Sequence, residues 1–137
     1  MQSRPLVEEV LVRGPLARHL GIEGRLIEED HVRLALPFAP HNVTVGTVVH
    51  GGAIAALVDT AAAAACWATP DLPDPPKGST IGFSINYLTA AVESELIADA
   101  RIVRRGGSVV VCDVWVTDER ETAVARATVT YSMPRKR

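Results

Sequence analysis

Apolar and polar residues alternate along several segments of the chain, most clearly in its second half. Such alternation is typical of strands that bury one face, because successive side chains of a strand point to opposite sides. We interpret the last four segments as a β-meander, with Gly106-Gly107 as a two-residue hairpin turn. The first of the four is expected to bury Ile81, Phe83, Ile85 and Tyr87. The predicted strands are 22–28, 31–38, 79–88, 94–102, 108–116 and 123–133.

The longest apolar segment, residues 51–68, reads GGAIAALVDTAAAAACWA and predicts a helix. Asp59 is its only charged side chain. An aspartate at the centre of a membrane span costs about 2.5–3.5 kcal/mol, and alanine offers little in return. The segment is therefore interpreted as a buried helix, and no membrane span is expected.

A helix that is apolar almost all round and strands with one apolar face each predict a curved antiparallel sheet wrapped around the helix. This arrangement is an α+β fold. A short amphipathic helical region, broken at Gly14-Pro15, is expected over residues 5–20. The chain length and the lack of internal repeats predict a single domain spanning residues 1–137.

Composition excludes several classes of function. The net charge is −2, so no surface for nucleic acid is expected. Cys66 and Cys112 lie far apart and indicate free thiols in a reducing compartment, which together with the lack of a signal peptide predicts a cytoplasmic protein. The histidines lie on different segments, with His41 and His50 the pair most able to meet, so no metal site is expected. Neither a GxSxG elbow nor a phosphate-binding GK[ST] loop is present.

Asp59 lies on a stripe of small residues along the predicted helix. Small side chains let a ligand or another backbone approach, which leaves the carboxylate at the bottom of a gap. A buried carboxylate needs a partner, a raised pKa or contact with water. It is therefore either a catalytic group or a structural aspartate bonded to nearby backbone or to Thr60. The stripe comprises Gly52, Ala55, Ala56, Asp59, Ala62, Ala63 and Cys66.

The helix opens with His50-Gly51-Gly52. The first backbone N–H groups of a helix are unpaired and lie at its positive end, so they are able to hold an oxyanion. The alternative is a plain helix start with flexible glycines. Asp59 lies about 10 Å further along the axis, at 1.5 Å per residue. Both groups can act on one carbonyl only if two chains face each other, which predicts a dimer with shared sites.

The segment HGGAIAALVDTA resembles the signature of the phenylacetate-degradation-type acyl-CoA thioesterases of the hotdog superfamily. The segments STIGFSINYLTAA, RIVRRGGSVVVCDVWVTDE and TAVARATVTYSM resemble the same family. The resemblance implies a hotdog fold and hydrolysis of acyl-CoA without a metal or an organic cofactor. It also implies a homodimer with a continuous sheet, assembled further into a dimer of dimers.

The same resemblance assigns roles to individual residues. Asp59 matches the catalytic carboxylate, acting as general base or nucleophile. The Gly51-Gly52 helix start matches the oxyanion hole, with Gly52 as the backbone donor. His50 matches the residue that orients or polarises the thioester carbonyl, and Thr80 matches a hydroxyl that helps to place the attacking water.

Two further regions are expected to bind substrate. The turn of Arg104, Arg105, Gly106, Gly107 and Ser108 corresponds to a region near the phosphates of coenzyme A, and the alternative is an ordinary basic hairpin turn. Members of the family often carry asparagine six residues before the histidine. Here Asn42 lies eight residues before His50, so the loop is longer, and Asn42 is expected to reach the carbonyl from a different position.

Two other functions on the same fold are alternatives to hydrolysis. A non-catalytic acyl-CoA sensor has no need of a lone acid on the small-residue stripe, so Asp59 favours the enzyme. A hydratase needs a differently placed Asp/His pair, which the sequence does not show. The acyl group itself is not specified by these patterns.

Overall fold

A computed structural model describes residues 1–134 of the chain. Its helical segments are α1 (Arg4–Leu6), a π-helix (Val7–Val12), α2 (Pro15–Leu20), a 3-10 helix (Pro40–Asn42) and α3 (Gly51–Trp67). Its strands are β1 (Glu23–Glu28), β2 (His31–Leu36), β3 (Val43–Val45), β4 (Val48–Val49), β5 (Ser79–Tyr87), β6 (Leu96–Arg105), β7 (Val109–Thr117) and β8 (Ala123–Ser132).

Six strands form one antiparallel sheet in the order β1-β2-β6-β7-β8-β5, and β3 and β4 form a small separate ribbon. The sheet packs on α3, which contacts β2, β5, β6, β7 and β8. The predicted α+β hotdog fold is confirmed. No helix within residues 1–134 is long and apolar enough to cross a membrane.

The core lies between the sheet and α3, where the predicted apolar faces are buried. Alternate residues are buried along β7 and along β6 from Leu96 to Ala100, whereas Ile102 is only half-buried and Arg104 is exposed. On α3, Leu57, Val58 and Ala61 are fully buried against the sheet. The buried alternating set comprises Leu96, Ala98, Ala100, Val110, Cys112, Val114 and Val116. Alanine at two of the β6 positions leaves room for the helix to approach the sheet closely.

β5, the first strand of the predicted meander, does not lie beside the next strand in sequence. β5 does not pair with β6 but with β8, so it forms the far edge of the sheet. The apolar face predicted for it is largely exposed: Ile81 is 60%, Phe83 38% and Tyr87 50% accessible, and only Ile85 is half-buried. An unpaired apolar edge strand is a ready template for pairing with another chain.

The turn between β6 and β7 also differs from the prediction, because it has three residues, Gly106–Ser108, rather than two. The N–H of Gly106 donates to the carbonyl oxygen of Val109 at 2.8 Å. A side chain at Gly106 would place its Cβ 2.8 Å from that same oxygen. Glycine is therefore required at this position for steric reasons.

Candidate active site

One face of α3 stays partly open to solvent instead of packing on the sheet. It begins at Gly51 and Gly52 and continues through Ala55, Ala56, Asp59, Thr60 and Ala63. Most of the predicted small-residue stripe lies on this face, whereas its members Ala62 and Cys66 are buried. Burial raises the pKa of the Cys66 thiol to about 12, so this thiol stays protonated at neutral pH. Asp59 is the charged side chain on the open face.

Asp59 has one well-defined partner, the hydroxyl of Thr80 at the start of β5. Thr80 Oγ1 donates to Asp59 Oδ1 at 2.6 Å, and both side chains are half-buried. The hydroxyl of Thr60 donates instead to the carbonyl oxygen of Ala56 at 2.7 Å, one turn back on the helix. The alternative in which Thr60 holds Asp59 therefore does not describe the structure. The Asp59–Thr80 pair joins the central helix to the edge strand.

His50 caps the N-terminus of α3. Its Nδ1 accepts a hydrogen bond from the backbone N–H of Gly52 at 2.7 Å, so the ring proton of neutral His50 lies on Nε2. A Cβ at Gly52 would lie 2.9 Å from this nitrogen. The imidazole thus occupies the space in front of the amide that the sequence assigns to the oxyanion.

The amide of Gly52 and the carboxylate of Asp59 do not converge within one chain. They are seven residues apart on the uninterrupted α3, a separation of about 10 Å along the axis. Within one chain, the helix start and the middle of α3 are therefore two separate candidate half-sites.

Asn42 supports the helix start. Its side chain is buried, with 5% exposure, and its Nδ2 donates to the carbonyl oxygen of Leu20 at 3.0 Å. The backbone carbonyl oxygen of Asn42 accepts a hydrogen bond from the backbone N–H of His50 at 2.8 Å. Asn42 therefore links the end of α2 to His50. The rings of His41 and His19 lie 5.8 Å apart between centroids, tilted by 47° to each other.

Tyr87 also contacts the helix start, although the alternation along β5 predicts only a core position for it. Its hydroxyl donates to the carbonyl oxygen of Gly51 at 2.7 Å, and its ring lies against this glycine. A Cβ at Gly51 would lie 3.3 Å from Tyr87 Cζ. The alternation of Tyr87 with Ile85 indicates a buried apolar position. Nothing in this pattern indicates that the hydroxyl binds the start of α3. Tyr87 holds the helix start from the side of β5.

Two grooves flank the start of α3. The α2 groove, about 320 Å³ in volume, includes Leu16, Leu20, Val43, His50, Gly52 and Ala56 in its lining. The Tyr87 groove, about 330 Å³, includes Thr44, Gly51, Tyr87, Leu88 and Thr89. The two grooves therefore open on either side of the His50-Gly51-Gly52 segment.

The predicted coenzyme A turn lies at the other end of α3. Arg105 donates from its guanidinium to the carbonyl oxygens of Cys66 and Ala65, at 3.0 and 3.1 Å, and to Asp30 Oδ1 at 2.8 Å. The positive charge of the guanidinium is also stabilised by the negative end of the helix dipole at these carbonyls. Arg105 thus caps the helix C-terminus, whereas Arg104 is exposed. Within one chain the turn is about 24 Å along the helix axis from His50.

Arg105→Ala is expected to lower the free energy of unfolding by about 2–4 kcal/mol, because it leaves two helix-terminal carbonyls and Asp30 without this donor. Urea denaturation followed by circular dichroism measures the change. Arg104→Ala is the matched control and should alter stability by less than about 0.5 kcal/mol. Equal effects of the two substitutions would contradict the assigned role of Arg105.

Comparison with known proteins places the chain among thioesterases. Residues 46–125 match the family model described as thioesterase superfamily. The medium/long-chain acyl-CoA thioesterase YigI of Escherichia coli is 28% identical, over 95% of this chain and 93% of its own. The E. coli PaaI protein from the phenylacetic acid degradation operon has a TM-score of 0.84 at 20% identity, covering 99% of this chain and 95% of that one.

A further structure, of smu.793 from Streptococcus mutans, was solved bound to acetyl CoA. It has a TM-score of 0.76 at 28% identity, covering 85% of this chain and 91% of its own. Together, the family match and the structural likeness confirm the predicted resemblance.

Proposed function

Because the chain belongs to the thioesterase superfamily, we propose that it hydrolyses acyl-CoA thioesters to a free acid and coenzyme A, without a metal or an organic cofactor. The names of similar proteins support the choice of substrate: one is a medium/long-chain acyl-CoA thioesterase, and another holds acetyl CoA. Hydrolysis of a thioester needs a base or nucleophile, donors for the oxyanion, and access for water.

The observation that carries the proposal is the Asp59–Thr80 pair on the open face of α3. As general base, Asp59 removes a proton from water as the water oxygen attacks the carbonyl carbon. Thr80 donates to Asp59 and fixes the direction of its carboxylate. The tetrahedral intermediate then collapses, the C–S bond breaks, and the thiolate of coenzyme A takes up a proton. As nucleophile, Asp59 would itself attack the carbonyl carbon and expel the coenzyme A thiolate by breaking the C–S bond, and water would then cleave the resulting anhydride to the free acid and the regenerated carboxylate.

The second half-site in this proposal is the start of α3. The carbonyl oxygen of the substrate replaces His50 Nδ1 as the acceptor of the Gly52 N–H, and the displaced imidazole orients the thioester. Asn42 and Tyr87 act as positioning residues, since each binds the backbone of the His50-Gly51 segment. The oxyanion that develops is then stabilised by an amide at the positive end of a 17-residue helix.

The two half-sites require a dimer, in which Asp59 of one chain faces Gly52 of the other. The exposed apolar edge strand β5 supports this assembly, because antiparallel pairing of two β5 strands would join the sheets and cover Ile81 and Phe83. Thr80 lies at the start of the same strand. A dimer of dimers remains part of the proposal. In such an assembly the exposed Arg104 is better placed than Arg105 to reach coenzyme A phosphates, since Arg105 caps α3.

Purified protein incubated with acyl-CoAs of 2 to 16 carbons tests the proposal. We expect release of free thiol, detected with a chromogenic disulfide reagent, and no loss of rate after treatment with a metal chelator. Tight binding of acyl-CoA without thiol release would instead support the non-catalytic binding protein. Absence of both would contradict either function.

A further inference from the structure

An acyl-CoA has two chemically different arms on either side of its thioester carbonyl. The acyl chain is apolar and needs only apolar surface, whereas pantetheine carries two amides that need hydrogen-bond partners. The helix start assigned to the carbonyl also has two grooves beside it, one containing Gly52 and the other Gly51. Each arm can therefore be assigned to a groove by comparing the linings.

The α2 groove has the lining that an acyl chain requires. Leu16 and Leu20 are one helical turn apart on α2, so both side chains point to the same side, opposite Ala53 and Ala56 of α3. Leu16 is 62% exposed although it is large and apolar. The small alanines of α3 leave the space that the leucines border. The polar side chains in the lining are His41, Asn42 and His50. The amide of Asn42 is bonded to the carbonyl oxygen of Leu20 and the ring of His41 lies beside that of His19, whereas His50 lies at the carbonyl end, where it caps α3.

The Tyr87 groove offers hydrogen-bonding groups along its length. The hydroxyls of Thr44, Tyr87 and Thr89 line it together with apolar residues such as Leu88. Thr44, Tyr87 and Thr89 are all exposed residues, and the Tyr87 hydroxyl, which donates to the carbonyl oxygen of Gly51, keeps its acceptor capacity for a ligand amide. This lining suits a chain that carries amides better than it suits a hydrocarbon.

We propose that the α2 groove binds the acyl chain, that Leu16 and Leu20 set the preferred chain length, and that pantetheine follows the Tyr87 groove. The proposal rests on the function proposed above and adds a direction to the substrate. It assigns a specificity role to α2, a short helix outside the family match over residues 46–125. The preferred substrates are acyl groups long enough to pass Gly52 and reach the leucines.

The test compares kcat/KM for butyryl-, octanoyl- and dodecanoyl-CoA in the parent and in Leu16→Trp. In the parent, each methylene that enters the groove is worth about fourfold in kcat/KM. The tryptophan shortens the groove, so we expect kcat/KM for dodecanoyl-CoA to fall at least tenfold while that for butyryl-CoA changes less than twofold. Because Leu16 is mostly exposed, the variant should fold. Leu16→Ala, which widens the groove, should shift the preference toward longer chains.

Two controls separate the possible outcomes. Val10→Trp alters a residue that is 45% exposed and lines neither groove, and it should leave all three values unchanged. Leu88→Trp narrows the Tyr87 groove and should affect the three substrates alike, since they share pantetheine. A chain-length shift from Leu88→Trp but not from Leu16→Trp would overturn the assignment of the grooves. So would a change of oligomeric state in Leu16→Trp, because a partner chain would then cover Leu16.

The proposed function fails in a different way. If the parent releases no thiol from any acyl-CoA, hydrolysis itself is contradicted. If the parent is active and its chain-length profile is unaltered by Leu16→Trp and Leu16→Ala, only the groove assignment is overturned.

Discussion

Replacing Asp59 with asparagine is expected to lower kcat for acyl-CoA hydrolysis by about 10²–10⁴-fold while the fold is retained. Asparagine keeps the size of the side chain and an oxygen that can accept from Thr80 Oγ1. It lacks the basic or nucleophilic carboxylate that the reaction needs. Stability should hold or rise slightly, because a half-buried amide costs less to desolvate than a charge. Thiol release and thermal unfolding of the variant beside the parent measure both effects.

The chain contains a matched control for this substitution. Asp113 on β7 also accepts a hydrogen bond from a threonine on a neighbouring strand, Thr128, at 3.3 Å, but it lies on the exposed face of the sheet. Asp113→Asn should leave kcat unchanged. Near-parental turnover of Asp59→Asn together with a lowered melting temperature would mean that Asp59 is structural and that the mechanism is wrong.

Mixing two inactive variants is expected to restore activity if the half-sites of two chains combine. Gly52→Val is the second variant: its branched side chain would occupy the space before the amide, where even a Cβ lies 2.9 Å from His50 Nδ1. Loss of one oxyanion donor lowers kcat by about 10²–10³-fold. In a heterodimer with Asp59→Asn, one site carries both defects and the other carries neither. Random reassortment should therefore recover about a quarter of the parental activity, since half of the dimers are mixed and each has one intact site.

Coexpression with two different affinity tags isolates the mixed dimer and measures its activity per chain. Mixing each variant with itself after the same treatment is the control and should recover nothing. Activity that stays at the level of the single variants, in dimers shown to be mixed, would mean that Asp59 and Gly52 of one chain belong to one site. The 10 Å separation argument would then be wrong.

The positions of the helix and strands were predictable from the local sequence pattern. Which strands pair with each other in the sheet was less predictable. The helix predicted to end at Ala68 ends at Trp67, and β7 buries its alternate residues from Val110 to Val116. On β6 the alternating face is buried from Leu96 to Ala100 but only half-buried at Ile102. β5 was misplaced because a period of two identifies a face and not the strand beside it. Its connection to β6, residues 88–95, is eight residues long and lacks the tight turn of a hairpin. This length allows β5 to pair across the sheet with β8.

The hydrogen-bond partners of long side chains were the least predictable part of the candidate site. Arg105 and Asp30 are 75 residues apart in sequence, and nothing in the local pattern of either indicates that they meet at the end of α3. Asn42 was expected near the substrate carbonyl, but its amide is bonded to Leu20. Thr80 is predicted by the family resemblance alone, whereas Asp59 is indicated both by its place on the small-residue stripe and by the resemblance; the structure brings the two into contact. Their catalytic roles stay predictions.

The hydrogen bond between His50 and Gly52 affects how strongly the Gly52 amide binds the neutral thioester and the charged intermediate in the proposed mechanism. In the free protein the amide already has a good acceptor, an imidazole nitrogen at 2.7 Å. A neutral thioester oxygen is a weak acceptor, so displacing the imidazole gains little when substrate binds. The charged oxygen of the tetrahedral intermediate is a far stronger acceptor and gains much more from the same exchange. In the proposed mechanism the imidazole is displaced at the same cost in both states, so it cancels most of the small gain from the thioester oxygen and only part of the larger gain from the oxyanion. The internal bond therefore weakens retention of acyl-CoA without raising the barrier from bound substrate.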